Sequence, residues 1–212
     1  MNRKTILLLG LLLITHSAFP ASRVDVWDFK VYLDDTPVGS HRFTVTEQSA
    51  TRELRSEAQF DVKFLMFNAY TYAHEARESW RGNCLAGIRA WTDDNGEVTR
   101  VDGELDGQGF RLNTNRTRSE LPECIMTFAY WHPDMIAQKR LLNPQTGEYT
   151  EVRIDPKGEE NIPVRGRQLS ARRYHLDAGK FQIDLWYGVE DRRWLALDST
   201  LEGGRRLRYR IE

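Results

Sequence analysis

The chain has 212 residues, of which 40% are hydrophobic and 11% aromatic, so it can bury one sizeable core in a single all-β domain. Its formal net charge of -1 lacks the basic excess that nucleic-acid binding needs, and we expect no nucleic-acid partner. Most of its basic residues are Arg, a composition that favours fixed ion pairs over loose solvating charge.

The amino-terminal segment has the composition of a secretory signal peptide. A short charged region, Asn2–Lys4, precedes the apolar stretch Ile6–Ile14, and small residues follow at Ala18 and Ala21. This stretch is too short for a membrane span, which takes about 20 apolar residues. We therefore expect residues 1–22 to form a cleavable signal peptide, with cleavage near Ala21, and residues 23–212 to form one β domain exported to the periplasm.

Alternating apolar and polar residues predict antiparallel strands along most of the remaining chain. In Val24–Leu33 and His41–Glu47 every second residue is apolar, and the turn chemistry of Asp34–Gly39 joins these two strands into a hairpin. Pro156–Gly158 predicts a later turn. Further predicted strands are Ala58–Phe64, Tyr70–Arg77, Leu85–Trp91, Glu97–Leu105, Phe110–Asn115, Tyr149–Ile154, Arg167–Asp177, Phe181–Tyr187, Arg193–Leu201 and Leu207–Ile211.

The spacing of these strands, joined by Gly-rich turns, indicates an all-β fold of about 10–13 antiparallel strands. We predict one large curved antiparallel sheet, either a half-barrel or an open barrel.

Two cysteines, Cys84 and Cys124, lie about 40 residues apart. In an exported protein an even number of cysteines favours a disulfide, here worth about 4 kcal/mol in the chain-entropy model. The alternative is that Cys124 is a nucleophilic thiol, although no His lies beside it in the sequence.

Residues 124–143 form the only long stretch that does not alternate. Met135, Ile136, Lys139 and Leu142 fit the apolar spacing of a short amphipathic helix, and Pro133 lies near its first turn. We expect one short helical segment near residues 125–142, plugging or lining the hollow of the sheet.

Two pairs of motifs resemble an uncharacterised family of exported bacterial proteins, classed as a domain of unknown function. They are Trp27–Leu33 with Pro37–Phe43, and Phe128–Pro133 with Leu141–Glu148. The resemblance covers nearly all of the mature chain. It implies a large curved antiparallel sheet similar to the half-barrels of envelope lipoprotein carriers, and it carries over no catalytic residues.

The concave face of such a sheet favours a ligand with a long apolar part, such as a lipid. We therefore expect a non-catalytic binding protein, with Tyr or Arg side chains at the rim holding a polar head. The alternative is that the same residues are ordinary core. The predicted lining consists of Phe60, Phe64, Met66, Phe67, Tyr70, Tyr72, Phe128, Tyr130, Trp131 and His132.

Two other functions remain open at this point. The first is an enzyme with acid–base chemistry at Tyr130, His132 and Asp134, although Asp134 would equally cap the helix while His132 packs at its edge. The second is an envelope interaction module that docks a partner through an edge strand or the Arg-rich final strand.

Neither a metal site nor a cofactor is expected. The histidines of the mature chain, His41, His74, His132 and His175, show no paired spacing of the kind that zinc sites use. The sequence contains neither a Gly-x-Ser-x-Gly motif nor a Gly-rich phosphate loop.

Overall fold

The computed structural model describes residues 22–64 and 67–212, except for the side chains of residues 64, 67, 68 and 202. Residues 1–21 of the predicted signal peptide and Met66 lie outside the described residues, and so do the side chains of Phe64 and Phe67. Most of the described chain is β-strand, and its helices are two 3-10 turns, Pro133–Ala137 and Glu202–Gly204.

Fifteen strands follow one another along the described chain. They are β1 Arg23–Leu33, β2 Thr36–Gln48, β3 Thr51–Phe64, β4 Phe67–Arg81, β5 Cys84–Asp94, β6 Glu97–Leu105, β7 Phe110–Thr114, β8 Arg118–Leu121, β9 Arg140–Leu142, β10 Tyr149–Glu151, β11 Arg153–Val164, β12 Arg167–Asp177, β13 Gln182–Gly188, β14 Trp194–Thr200 and β15 Arg206–Ile211.

Thirteen of the strands form a single antiparallel sheet in the order β11-β12-β13-β14-β15-β1-β2-β3-β4-β5-β6-β7-β8. Each half of the chain is an up-and-down meander, and the two halves join where β1 pairs with β15. In that pairing Phe29 lies opposite Ile211, and Val31 lies opposite Tyr209. The predicted open antiparallel sheet is confirmed.

The two edge strands, β8 and β11, are connected by residues 122–152, which we call the crossing segment. Because β8 and β11 stand at opposite edges of a thirteen-stranded sheet, this segment has to pass from one edge to the other. It does so across the buried face: Ile125, Met126, Met135, Leu141 and Leu142 are almost completely buried. The core therefore lies between the sheet and the crossing segment.

Side chains of one face of each strand supply the sheet side of this core. In β1, Trp27, Phe29 and Val31 are buried, whereas Asp28 and Lys30 between them are exposed. Because successive residues of a strand point to opposite faces, this alternation turns one face of the sheet toward the crossing segment and the other toward water.

The crossing segment contains less helix than the sequence predicts. Its helix is a 3-10 turn of five residues, Pro133–Ala137, and the amphipathic α-helix through Leu142 does not form. Leu141 and Leu142 instead pair with Thr150 and Tyr149 in the two-stranded ladder of β9 and β10. Residues that the helical spacing assigned to a further helical turn therefore form a strand of a β-hairpin instead.

Two of the turns that the sequence predicts also differ from those of the structure. The first hairpin turns at Asp34 and Asp35, and β2 begins at Thr36, so Gly39 lies inside a strand rather than in the turn. Pro156–Gly158 is a bulge within β11, where the register against β12 shifts, rather than a turn between two strands. A bulge of this kind accommodates Pro without ending the strand.

Three bonds attach the crossing segment to β4 and β5. Cys84 and Cys124 form a disulfide with their Cα atoms 4.8 Å apart, as predicted for the pair, so neither cysteine is a free thiol. The backbone N–H of Leu85 donates to the carbonyl oxygen of Ile125 over 2.9 Å. The hydroxyl of Thr127 donates to the buried carboxyl of Glu78 over 3.2 Å.

Candidate functional site

A cavity of about 300 Å³ lies between the sheet and the crossing segment. This volume is at the lower end of the range of small-molecule sites. Side chains from β2, β3, β4, β13, β14 and β15 face it on the sheet side. The lining consists of His41, Phe43, Ser56, His74, Phe128, Tyr130, Asn143, Pro144, Gln145, Phe181, Ile183, Leu197, Ser199, Leu201, Leu207 and Tyr209.

The walls of the cavity are largely aromatic and aliphatic. Phe128 of the crossing segment lies 5.6 Å from Phe181, ring centroid to ring centroid, at the start of β13. Phe43 of β2 is buried against the sheet, and Ile183 and Leu197 face the cavity from β13 and β14. A ligand that packs against these side chains would displace water from an apolar surface, which is favourable.

A buried polar cluster interrupts this apolar wall. Nε2 of His41 lies 2.7 Å from the Ser56 hydroxyl, and Nδ1 of His41 lies 3.3 Å from the Tyr209 hydroxyl. His41 is 7% exposed and Ser56 is 3% exposed. Burial and, to a smaller extent, the neighbouring His74 hold the pKa of His41 well below its usual value, so the imidazole is neutral at neutral pH.

His74 forms a second buried pair on the same face. Its Nδ1 lies 2.9 Å from the Thr92 hydroxyl on the neighbouring strand, and its ring centroid lies 6.3 Å from that of His41. Burial lowers the pKa of His74 to about 4. Both imidazoles of the cavity therefore carry no charge at neutral pH.

Two tyrosines add to the polar part of the lining, which also includes Asn143, Gln145 and Ser199. Burial raises the pKa of Tyr130 and of Tyr209 well above the usual phenol value, so both hydroxyls stay protonated. The ring of Tyr130 packs against Trp194 at 5.3 Å, which fixes its position on the crossing segment. Tyrosines were predicted to meet a polar head; the Arg side chains predicted beside them are absent from the described lining.

One end of the cavity is more exposed than the other. Leu201 is 40% exposed, and Pro144, Gln145 and Phe181 are half-buried, whereas His41 and Ser56 are buried. The loop between β9 and β10, the start of β13 and the end of β14 therefore form the mouth.

The predicted lining divides into three groups. Phe128 and Tyr130 lie in the wall of the cavity. Phe60 and Tyr72 lie on the same face of the sheet but stack on each other, with ring centroids 5.0 Å apart, as ordinary core. Tyr70 is only half-buried beside them.

Trp131 and His132 lie elsewhere, in a second cleft of about 390 Å³. This cleft is strongly polar, with Arg52, Arg192 and Arg193 among its lining residues. Its charges are mostly paired with each other: Arg192 with Asp134 at 3.3 Å, Arg193 with Asp25 at 3.4 Å, and Arg52 with Glu47 at 3.5 Å.

The residues of the predicted acid–base site do not converge. Tyr130 faces the apolar cavity, whereas His132 and Asp134 line the second cleft. Nδ1 of His132 accepts the backbone N–H of Asp134 over 3.3 Å, so His132 itself caps the 3-10 turn that Asp134 was expected to cap. The Asp134 carboxylate accepts hydrogen bonds from Asn83 and Arg192 instead.

The Arg-rich final strand is not an edge. β15 pairs with β14 on one side and with β1 on the other. Arg206 and Arg210 approach the buried Asp198 to 2.8 Å and 2.6 Å, and Arg208 pairs with Asp35 at 2.6 Å. These fixed ion pairs agree with the expectation from the Arg excess and leave this strand poorly suited to docking a partner.

The sequence analysis did not place His41, Ser56, His74 or Tyr209 in the lining of a cavity. Part of the signal was present, because His41 is in phase with inward-facing Phe43, and His74 is in phase with Tyr72. Alternation does not show which strands lie side by side. It therefore could not show that Ser56 and Tyr209 both contact the imidazole of His41.

The described residues contain neither a group of metal ligands nor a helix that could span a membrane. Between residues 22 and 212, leaving out 65 and 66, no three His, Cys, Asp or Glu side chains are grouped so that they could hold a metal ion. In the same part of the chain, no helix has the length and apolar character needed to cross a membrane.

Comparison with known proteins supports the fold and gives the family. A crystal structure of a beta-barrel-like protein of the domain of unknown function DUF1849, from Brucella abortus, matches with a TM-score of 0.60. The match has 10% sequence identity and covers 88% of this chain and 94% of that chain, so it concerns the fold alone. No curated protein matches the sequence. The family model of the domain of unknown function DUF6134 matches residues 29–212, and the chain therefore belongs to this family.

Proposed function

We propose that this protein is an exported, periplasmic binding protein that holds a lipid or another largely apolar small molecule in the cavity under the crossing segment, without transforming it. The observation that carries the proposal is the cavity itself. Much of its wall is aromatic or aliphatic, the described lining contains no acidic side chain and no Lys or Arg, and one end opens to solvent, a composition that suits a small-molecule site.

Two features support export. The apolar amino-terminal stretch has the pattern of a signal peptide. The disulfide between Cys84 and Cys124 belongs to the kind of structural bridge that persists in oxidising compartments and is rare in the cytosol.

The alternatives have less support. Acid–base catalysis by Tyr130, His132 and Asp134 would need their side chains around one substrate, and they face two different cavities. Docking through the final strand would need an unpaired strand edge, and β15 is paired on both sides. Docking through an edge strand would use β8 or β11, the two edges of the described sheet.

A variant whose larger side chain fills the cavity tests the proposal. Leu207 is a half-buried lining residue of β15, so Leu207→Trp should occupy much of the cavity volume. The wild-type protein should take up the uncharged fluorescent reporter N-phenyl-1-naphthylamine saturably, at one molecule per chain. Leu207→Trp should lose at least about tenfold in affinity, since apolar burial of the reporter is worth more than 1.4 kcal/mol.

The matched control is Leu169→Trp. Leu169 lies on β12, is 37% exposed and does not belong to the cavity lining, so this variant should bind like the wild type. Circular dichroism checks that both variants fold, because overpacking can cost about 1–3 kcal/mol. Failure of the wild type to bind the reporter, or equal binding by a folded Leu207→Trp variant, would contradict the proposal.

A further inference from the structure

We infer that the cavity selects an uncharged ligand whose polar end carries a hydrogen-bond acceptor, such as an alcohol, ester or ketone, and discriminates against fatty acids and amines. This inference rests on the proposed function, since it specifies the ligand of the same cavity. It follows from the charge of the lining, from the hydrogen count of the His41 cluster and from the placement of that cluster.

The described lining contains no Asp, Glu, Lys or Arg side chain. Its two imidazoles are held neutral by burial, and its tyrosines stay protonated. A carboxylate or ammonium group inside the cavity would therefore lose its hydration without meeting an opposite charge. An isolated buried charge is strongly unfavourable, whereas a neutral polar group needs only a hydrogen-bond partner.

The His41 cluster has one hydrogen more than its internal bonds can use. A neutral imidazole has one N–H donor and one acceptor nitrogen, and Ser56 and Tyr209 each contribute one O–H. The two contacts of His41 use two of these three hydrogens. If Tyr209 donates to His41, the Ser56 O–H is left over; if Ser56 donates, the Tyr209 O–H is left over.

The spare hydroxyl hydrogen has to find an acceptor. Ser56 and Tyr209 both line the cavity, so a ligand can supply that acceptor whichever tautomer is present. Because this cluster is buried while the mouth at Leu201 is partly exposed, the ligand places its uncharged oxygen at the cluster. Its apolar part then lies against the aromatic walls.

Four competitors with the same ten-carbon chain distinguish the possibilities: decanol, methyl decanoate, decanoate and decylammonium, each displacing N-phenyl-1-naphthylamine at neutral pH. We expect decanol and methyl decanoate to bind at least about tenfold more tightly than either charged competitor. Equal affinity of all four, or tighter binding of a charged one, overturns this inference and leaves the proposed function standing. Failure of the reporter itself to bind refutes the proposed function as well.

Variants of the cluster test the hydrogen count. Ser56→Ala and Tyr209→Phe each remove one hydroxyl, and at least one of them should weaken decanol binding by roughly two- to tenfold. Thr92→Val is the matched control, because it removes a hydroxyl bonded to the other buried imidazole without changing the cavity lining. Unchanged binding in both cluster variants, or an equal loss in Thr92→Val, would overturn the assignment to the cluster.

Discussion

At the scale of single residues, the most unusual group outside the cavity is Glu78. It is a carboxyl buried in the core, where Trp80 Nε1 and the Thr127 hydroxyl both donate to the same oxygen, over 3.0 Å and 3.2 Å. Burial raises its pKa to about 7, and the two hydrogen bonds oppose that rise only in part. Glu78 therefore links the sheet to the crossing segment in a pH-dependent way.

Glu78→Gln tests this effect. The pKa of Glu78 is higher in the folded than in the unfolded protein, so the folded state holds the proton more tightly, and stability falls as pH rises from about 4.5 to about 7. The Glu78→Gln variant does not lose this stability as pH rises, because its amide does not titrate. Between pH 5 and pH 8, the free energy of unfolding of the variant should therefore rise by about 2–3 kcal/mol relative to that of the wild type.

Urea denaturation at the two pH values measures this difference, and comparing variant with wild type cancels the contributions of the histidines. Glu75→Gln, an exposed position on the same strand, is the control and should show no such pH-dependent gain. A constant difference between Glu78→Gln and the wild type from pH 5 to pH 8 would show that the carboxyl titrates in its ordinary range.

At the scale of elements, the crossing segment is held to β5 by the disulfide. Replacing Cys84 and Cys124 together by Ser should lower the free energy of unfolding by about 4 kcal/mol, because the bridge closes a loop of 40 positions in the unfolded chain. The loss should also loosen the start of the crossing segment, where the Leu85–Ile125 backbone hydrogen bond lies next to the bridge.

Hydrogen exchange measures that second consequence. The amide of Leu85, which donates to Ile125, should exchange faster in the double Ser variant than in the wild type, measured relative to amides of β13. The amides of β13 serve as the internal control, since they lie far from the bridge in strand order. A uniform acceleration of all amides would mean that the bridge stabilises the whole fold without specifically holding the crossing segment.

The strands were the most predictable elements, and the crossing segment was the least. Glu97–Leu105 and Arg167–Asp177 have the bounds that alternation and turn chemistry predict. Arg118–Leu121 was missed, because a short edge strand with mostly exposed polar residues has no apolar alternation to reveal it. In the crossing segment, tertiary pairing of β9 with β10 overrides a helical spacing that is only local.

At the scale of the whole molecule, the predicted open sheet was correct, but the pairing of the first strand with the last, which joins the two halves of the sheet, was not visible in the sequence. The pairing of Val31 with Tyr209 joins residues from opposite ends of the chain, and no local pattern encodes it. This same pairing brings the Tyr209 hydroxyl to His41 and so creates the polar cluster of the cavity. Of the residues that line the cavity, the sequence analysis named only Phe128 and Tyr130 as lining residues, because alternation does not show which strands bring their side chains together.

The central claim is that the crossing segment and the sheet enclose a cavity that holds an apolar molecule. Native mass spectrometry tests it most directly, on the protein purified without detergent or denaturant from the cells that produce it. We expect a population of chains with one bound molecule of lipid-like mass, released on activation in the gas phase and missing from the Leu207→Trp variant. A ligand-free protein that also stays ligand-free after incubation with decanol would contradict the claim.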